Sequence, residues 1–561
     1  MRFYHVTLGR KLLRSLFIVL SLIAGTSNTL MAQDRPNILW ITIEDLSPHL
    51  GSYGDPVAQT PTLDRLASEG MRFTNVFSTA AVCAPSRSTI ITGMYQTSIG
   101  THHMRTSHVG PGLPTPYEAV PPPYVKTFTE YLRGAGYYCT NNVKTDYQFA
   151  TPVTAWDESS NTAHWRNCPD PSQPFFSVFN FTTTHESAAW PEPEQTDPAT
   201  VSVPPYYPDT LPVRKSIARL YDNVAKVDGQ INEILRQLDE DGLTDNTIVF
   251  FLSDHGDGLP RAKRWLYDSG LRVPMIVRWP GKINPGAVSE ELVSLVDLAP
   301  TVLSLAGIDI PVHLQGQAFL GPRKAAPREY VFAARDRFDE AYDMVRAVSD
   351  GRFKYIRNYY PLQPYVLWIP YRNNSPIMQE LLRLYAEGGL EGPQKNWFQF
   401  PRPAEELYDT QADPFELNNL ANDPEYANQL NRLRQALDAW RAETRDMGDI
   451  SEEAMIAQMW PGGVQPVTAT PIILPHNSMD ARDAKVEPGG TFDSPVTIQI
   501  HCPTQGASIA YTTETGEKPR WLLYTGPLTI KEGTTTLRAK AIRYGYKESD
   551  EVSATFTIGP Q

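Results

Sequence analysis

Two acidic groups stand where apolar strands stop. Asn37-Ile38-Leu39-Trp40-Ile41-Thr42-Ile43 is a near-continuous apolar run that ends at Glu44-Asp45. Thr247-Ile248-Val249-Phe250-Phe251-Leu252 ends at Ser253-Asp254-His255-Gly256. Runs of this kind suit strands covered on both faces, and open α/β sheets place their sites just beyond the C-terminal ends of such strands. The carboxylates are hard oxygen donors; either group alone reads equally as a solvated loop end. Between them, in Thr79 to Gly93, lies Cys83-Ala84-Pro85-Ser86-Arg87, a thiol, a hydroxyl and a guanidinium within five residues. Pro85 suits a first helical position, so the segment also reads as a buried Cys at a helix start.

These residues need a frame. From about Arg35 to Ala325 the chain reads as α/β. Helical spacing runs from Thr62 to Gly70 and from Ser216 to Leu238, and Phe175–Phe181 is another buried strand. From about Glu329 to Met447 it reads as a smaller α+β part, with a hairpin around Asp350-Gly351 and a helix from Tyr426 to Trp440. Trp460-Pro461-Gly462-Gly463 opens a weakly patterned linker. Short Thr-rich alternating strands follow, among them Val496–Ile500, Ser508–Thr513 and Ser553–Ile558, which is the pattern of a small β-sandwich.

A length of 561 residues allows two or more domains. The net charge of −13 argues against a nucleic-acid-binding surface, but leaves room for a local basic pocket that takes an anionic substrate. Arg2, Arg10, Lys11 and Arg14 precede a short apolar run, Leu16 to Ala24, and cleavage near Ala32 or Gln33 completes an export signal. That run is short for a membrane span. Of four cysteines, Cys139 and Cys168 are a possible disulfide, with free buried thiols the preferred reading.

The Cys83-x-Pro-Ser-Arg run with its Ile91-Thr92-Gly93 step resembles the signature of the type I sulfatases, of the alkaline-phosphatase-like superfamily. The resemblance implies that Cys83 is oxidised to formylglycine by a separate maturation enzyme, and that the hydrated aldehyde attacks sulfur. Pro36-Asn37-Ile38-Leu39 through Glu44-Asp45 is similar to the family's opening Pro-Asn-Ile-Leu-x-x-x-x-Asp-Asp, with Glu44 at the first acidic position. Asp254-His255 falls where Asp-Asn is usual. The implied metal ligands are thus Glu44, Asp45, Asp254 and His255, with Cys83 beside them. They would hold one divalent cation, Ca2+ foremost and Mg2+ or Mn2+ as alternatives; His255 is more typical of Zn or Mn than of Ca. Lys263-x-x-x-Tyr267-Asp268, then Leu271-Arg272-Val273-Pro274, resembles the Lys-x-x-x-Tyr-Glu and Arg-Val-Pro segments and makes Lys263 the sulfate-binding lysine. Lys144 matches the lysine of Gly-Lys-x-His, with Asp146 in place of the His. His185 matches the His after the Phe-rich strand and is the implied general acid, and Arg87 would orient the nucleophile.

The resemblance divides the chain into a signal peptide (1–33), an α/β catalytic domain (34–325), an α+β subdomain (326–460), a linker (461–485) and a β-sandwich (486–561). The last is similar to the chitobiase/β-hexosaminidase C-terminal type and reads as a spacer or weak glycan contact. His102, His103 and Arg105, with Asp146, are candidate substrate-binding groups for an anionic sugar. Tyr359, Tyr360, Tyr365, Trp368 and Tyr371 are candidates to stack on sugar rings. Export and the accessory domain point to a sulfated glycosaminoglycan or algal polysaccharide such as ulvan, handled in the periplasm or outside the cell. His255 prompts an alternative, a phosphonate or phosphate monoester hydrolase. A glycan-binding protein with an inactive sulfatase fold is the third reading.

Overall fold

The computed structural model describes residues 35–475 and 489–559. The expected export signal and residues 476–488, across the expected linker boundary, lie outside them. From Asn37 onward the chain is one compact unit.

The large sheet has eight strands in the order β4-β3-β5-β1-β6-β7-β2-β8. They are β1 (Asn37–Ile43), β2 (Met71–Phe77), β3 (Tyr138–Asn142), β4 (Glu158–Ser159), β5 (Phe175–Phe181), β6 (Thr247–Ser253), β7 (Met275–Arg278) and β8 (Ala287–Ser294). β1 is central and pairs in parallel with β5 on one side and β6 on the other; β3 continues the parallel set beyond β5. β7 runs antiparallel to both β6 and β2, so the sheet is mixed. Alternation along β1 sends Leu39, Ile41 and Ile43 into one core with Val213, Ile217, Val224 and Leu238 of the helix Leu211–Glu240. Ile38 and Trp40 enter the opposite core with Phe128, Phe176 and Val302. Both faces are covered, which is why β1 is apolar throughout. Because β1, β3, β5 and β6 are parallel, their C-terminal ends open on one edge.

A four-stranded antiparallel sheet, Val331–Arg335, Val345–Ser349, Phe353–Asn358 and Glu405–Asp409, carries the helix Ala427–Thr444 through Leu430, Leu433, Leu437 and Trp440. The C-terminal strands form sheets of three and five around Val496, Ile498, Leu537, Ala539 and Phe556. This β-sandwich is docked on the catalytic part. Tyr544 is fully buried, its hydroxyl accepts from the Thr127 backbone N–H at 3.1 Å and its ring stacks on Phe149. Lys126 Nζ donates to Gly506 O and Ser508 Oγ at 2.6 and 2.7 Å. Thr468, inside the expected linker, is also buried and bonded to Lys547 and Arg543. The four cysteines are free, so Cys139 and Cys168 form no disulfide.

Candidate active site

The parallel strand ends deliver the chemistry to one place. β1 leads directly into Glu44 and Asp45, β6 into Asp254 and His255, β5 runs on to His185 and Glu186, and β3 to Lys144. Asp45 takes a left-handed backbone, φ 54°, an uncommon conformation for a non-glycine residue. Its N–H donates to Asp254 Oδ1 at 3.2 Å, which ties the two strand ends together. Its carboxylate accepts from the Glu186 N–H and from Lys263 Nζ, each at 2.7 Å.

Cys83 opens the helix Cys83–Thr92, and the rest of its motif staples that helix to the sheet. Ser86 Oγ donates to Asp254 O at 2.6 Å. Arg87 Nε donates to Asp254 Oδ2 and Nη1 to Asn180 Oδ1, both at 2.9 Å, while Nη2 reaches Glu44 Oε1 at 3.4 Å. Cys83 Sγ lies 3.5 Å from His255 Nε2, 3.8 Å from Asp45 Oδ1 and 3.9 Å from Lys263 Nζ. Only 2 % of Cys83 is exposed. Burial pushes its thiol up in spite of Lys263 and Lys144, which disfavours the thiolate form of the unmodified residue.

The donors fit a hard divalent cation. Atoms of Glu44, Cys83 and Asp254 lie within 4.8 Å of one another, as do atoms of Asp45, Cys83 and His255. His255 Nδ1 lies 2.9 Å from the Gly256 carbonyl. A carbonyl and a carboxylate only accept, so Nδ1 donates to Gly256 and Nε2 donates to Asp45 Oδ1 at 2.9 Å; a cation bound at this point would replace the Nε2 proton, with Nδ1 still held by the carbonyl. Burial opposes a charged imidazole here, but Asp254 and Asp45 outweigh it and push His255 up to about 10. Gly258 keeps the space open, since a Cβ there would sit 2.8 Å from Asp45 Oδ2.

The cationic arms surround the same point. Lys144 is ion-paired to Glu44 and lies 3.3 Å from Asp146, whose side chain is 45 % exposed. Burial opposes the charge on Lys263, but Asp45 and Glu186 hold its ammonium well above the ordinary range. His185 is half-buried, its Nδ1 3.0 Å from Ser187 Oγ; burial and then Lys263 lower its pKa. Arg105 bonds Asp339 through Nε and lies over Tyr371.

His102 and His103 sit elsewhere than their proximity to Arg105 in the sequence suggests. Each is only 1 % exposed. His103 Nδ1 accepts from the Arg337 N–H at 3.2 Å and its ring neighbours Tyr342. They are buried, with His103 against the α+β part, and do not line an open surface. Sequence reasoning also missed Asn180, Glu186, Arg264 and Asp339. Arg264 grips Glu186 with two bonds of 2.9 Å and donates to Asp339 through Nε. No local pattern marks such pairs; only the neighbours of His185 and Lys263 in the sequence hint at Glu186 and Arg264.

The sulfatase family model matches residues 36–170 and 141–308, the model of the N-sulphoglucosamine sulphohydrolase C-terminal region matches 261–387, and that of the chitobiase/β-hexosaminidase C-terminal domain matches 487–554. An ulvan-active sulfatase of Formosa agariphila is 46 % identical over 92 % of this chain and 91 % of its own. Human N-sulphoglucosamine sulphohydrolase is 28 % identical over 74 % and 92 %. Among solved structures, a protein in complex with its substrate D-glucosamine-2-N,6-O-disulfate shares the fold at a TM-score of 0.51 and 20 % identity, covering 73 % of this chain and 98 % of its own. The phosphonate monoester hydrolase of Agrobacterium radiobacter does so at 0.53 and 19 %, covering 73 % and 96 %. The chain belongs to the sulfatase family and is a sulfuric ester hydrolase with an alkaline-phosphatase-like catalytic fold.

Proposed function

We propose that this sulfatase removes sulfate from a sulfated polysaccharide or its oligosaccharides, with Cys83 matured to formylglycine. The observation that carries the reading is the convergence of Cys83, three buried carboxylates, His255 and three cations on one strand edge. Glu44, Asp45, Asp254 and His255 would hold one divalent cation, calcium first because the donors are mostly carboxylate. Such a cation supplies charge neutralisation at the sulfate ester. Matured Cys83 supplies a carbon with two hydroxyls, one to take the sulfuryl group and one to expel it. Arg87 holds Glu44 and Asp254 and orients the nucleophile. Lys144 and Lys263 present positive charge to the sulfuryl oxygens, electrostatic stabilisation prepared before the substrate arrives. His185 or Lys263 protonates the departing oxygen.

The polysaccharide substrate is supported by the ulvan-active relative and by the chitobiase-type domain at 487–554. Export to the periplasm or medium rests on the signal-like residues 1–33, and among the described residues no helix is long and apolar enough to cross a membrane. The maturation enzyme is the one protein partner this reading requires. A second reading, phosphonate or phosphate monoester hydrolysis, is favoured by His255 alone. The test is sulfate release from ulvan and glycosaminoglycans, with phosphate and phosphonate esters alongside, by protein matured with a formylglycine-generating enzyme. Release of sulfate, lost by at least about 10⁴-fold in Cys83→Ala, supports the proposal. Phosphonate turnover without sulfate release overturns it.

A further inference from the structure

Charge is carried outward from the reaction centre by a chain of buried ion pairs. Lys263 bonds Asp45 and Glu186, Glu186 takes the fork of Arg264, and Arg264 shares Asp339 with Arg105. Every member but the last is buried. The Arg105 side chain is 25 % exposed and spends only Nε on Asp339. Among the described residues its two terminal nitrogens have no hydrogen-bond partner. Its backbone is left-handed, φ 60°, a conformation that costs a non-glycine residue energy and that clusters at ligand sites.

Arg105 is also placed among aromatic rings on the side of His185. Its guanidinium carbon lies 5.0 Å from the Tyr371 ring centre. Tyr371 lies 5.0 Å from Trp190 and 6.4 Å from the His185 ring. All three rings are partly exposed. His185 is the candidate acid for the departing sugar oxygen, so this corner belongs to the sugar and not to the sulfate. Aromatic faces take sugar rings, and a guanidinium with a free planar fork takes a carboxylate bidentately.

We infer that Arg105, Tyr371 and Trp190 form a subsite for a uronic-acid unit of the substrate chain, with the Arg105 fork on its carboxylate. The inference rests on the polysaccharide sulfatase reading above. Arg105 positions the sugar and takes no part in the transfer.

The test uses ulvan oligosaccharides, native and after chemical reduction of their carboxyl groups to alcohols, with full-length matured enzyme. Native oligosaccharide is expected to be turned over about 10- to 100-fold better in kcat/KM than the reduced form, the worth of one charged hydrogen-bonded contact. Arg105→Ala should erase that difference, mostly through KM, and Arg105→Lys should restore part of it. Equal turnover of native and reduced substrate by the wild type overturns the subsite while the sulfatase reading stands. An Arg105→Ala loss that is the same on both substrates also overturns it, in favour of a second sulfate at Arg105 or a purely structural role. No sulfate release from either form, with the aldehyde present, overturns the polysaccharide reading and this inference with it.

Discussion

The reaction centre and the corner around Tyr371 are built in opposite ways. At the centre, Glu44, Asp45, Cys83, Asp254 and His255 are almost wholly buried, and the charges are locked by Arg87, Lys144 and Lys263. Their positions come from parallel strand ends, which the sheet fixes. At the corner, Arg105, Trp190 and Tyr371 stand on connecting segments, remain partly exposed, and keep hydrogen-bonding capacity unspent. Buried, fully paired charge suits a step that is the same for every sulfate ester. Unspent capacity on exposed loops suits recognition of one particular sugar.

Removing the cation should have the largest effect on this contrast. Dialysis against a chelator is expected to bring sulfate release to background and to lower the melting temperature, since any cation bound only to the folded state stabilises it. Calcium should restore both better than manganese or zinc. Full activity in protein shown to be metal-free would mean that the carboxylate cluster is structural. Next comes Arg87→Lys. The guanidinium serves Asp254, Asn180 and Glu44 from three nitrogens, which one ammonium cannot do. A fall of about 10²-fold in kcat is expected, on every substrate alike; a fall confined to KM would place Arg87 in binding instead. Arg105→Ala, at about 10-fold or more and only on uronate-bearing substrate, marks the corner as distinct from the centre. Tyr544→Ala should touch neither. It removes a fully buried ring that joins the β-sandwich to the catalytic part, at a cost of about 3–5 kcal/mol in stability. Thermal unfolding should report that loss while kcat stays level below the transition; a parallel fall in kcat would show that the β-sandwich shapes the centre.

Much of the centre is legible in the sequence because it sits on periodic elements. β1 ends at Ile43 and β6 at Ser253, where the apolar runs stop, and the helix Leu211–Glu240 follows its apolar spacing with only its ends extended. The spacing of Cys83, Ser86 and Arg87 survives as geometry, one helix turn meeting Asp254 twice. What stayed hidden depends on partners far along the chain. Asp339 is separated from Arg105 by 234 positions, and neither residue has a local signal for the other. His102 and His103 were legible as imidazoles, but their burial depends on partners such as Arg337, 234 positions from His103, that no spacing encodes. The docking of the β-sandwich was hidden for a similar reason. A Cβ at Gly545 would lie 2.2 Å from Ala119 O, so that residue is set by a surface more than 400 positions earlier.

The most direct measurement pairs a mass spectrum of the peptide around Cys83 with sulfate release by the same preparation, across preparations matured to different extents. Release should rise in proportion to the aldehyde-bearing fraction and extrapolate to zero where Cys83 is wholly thiol. Undiminished release from protein whose Cys83 is entirely thiol would contradict the account at its centre.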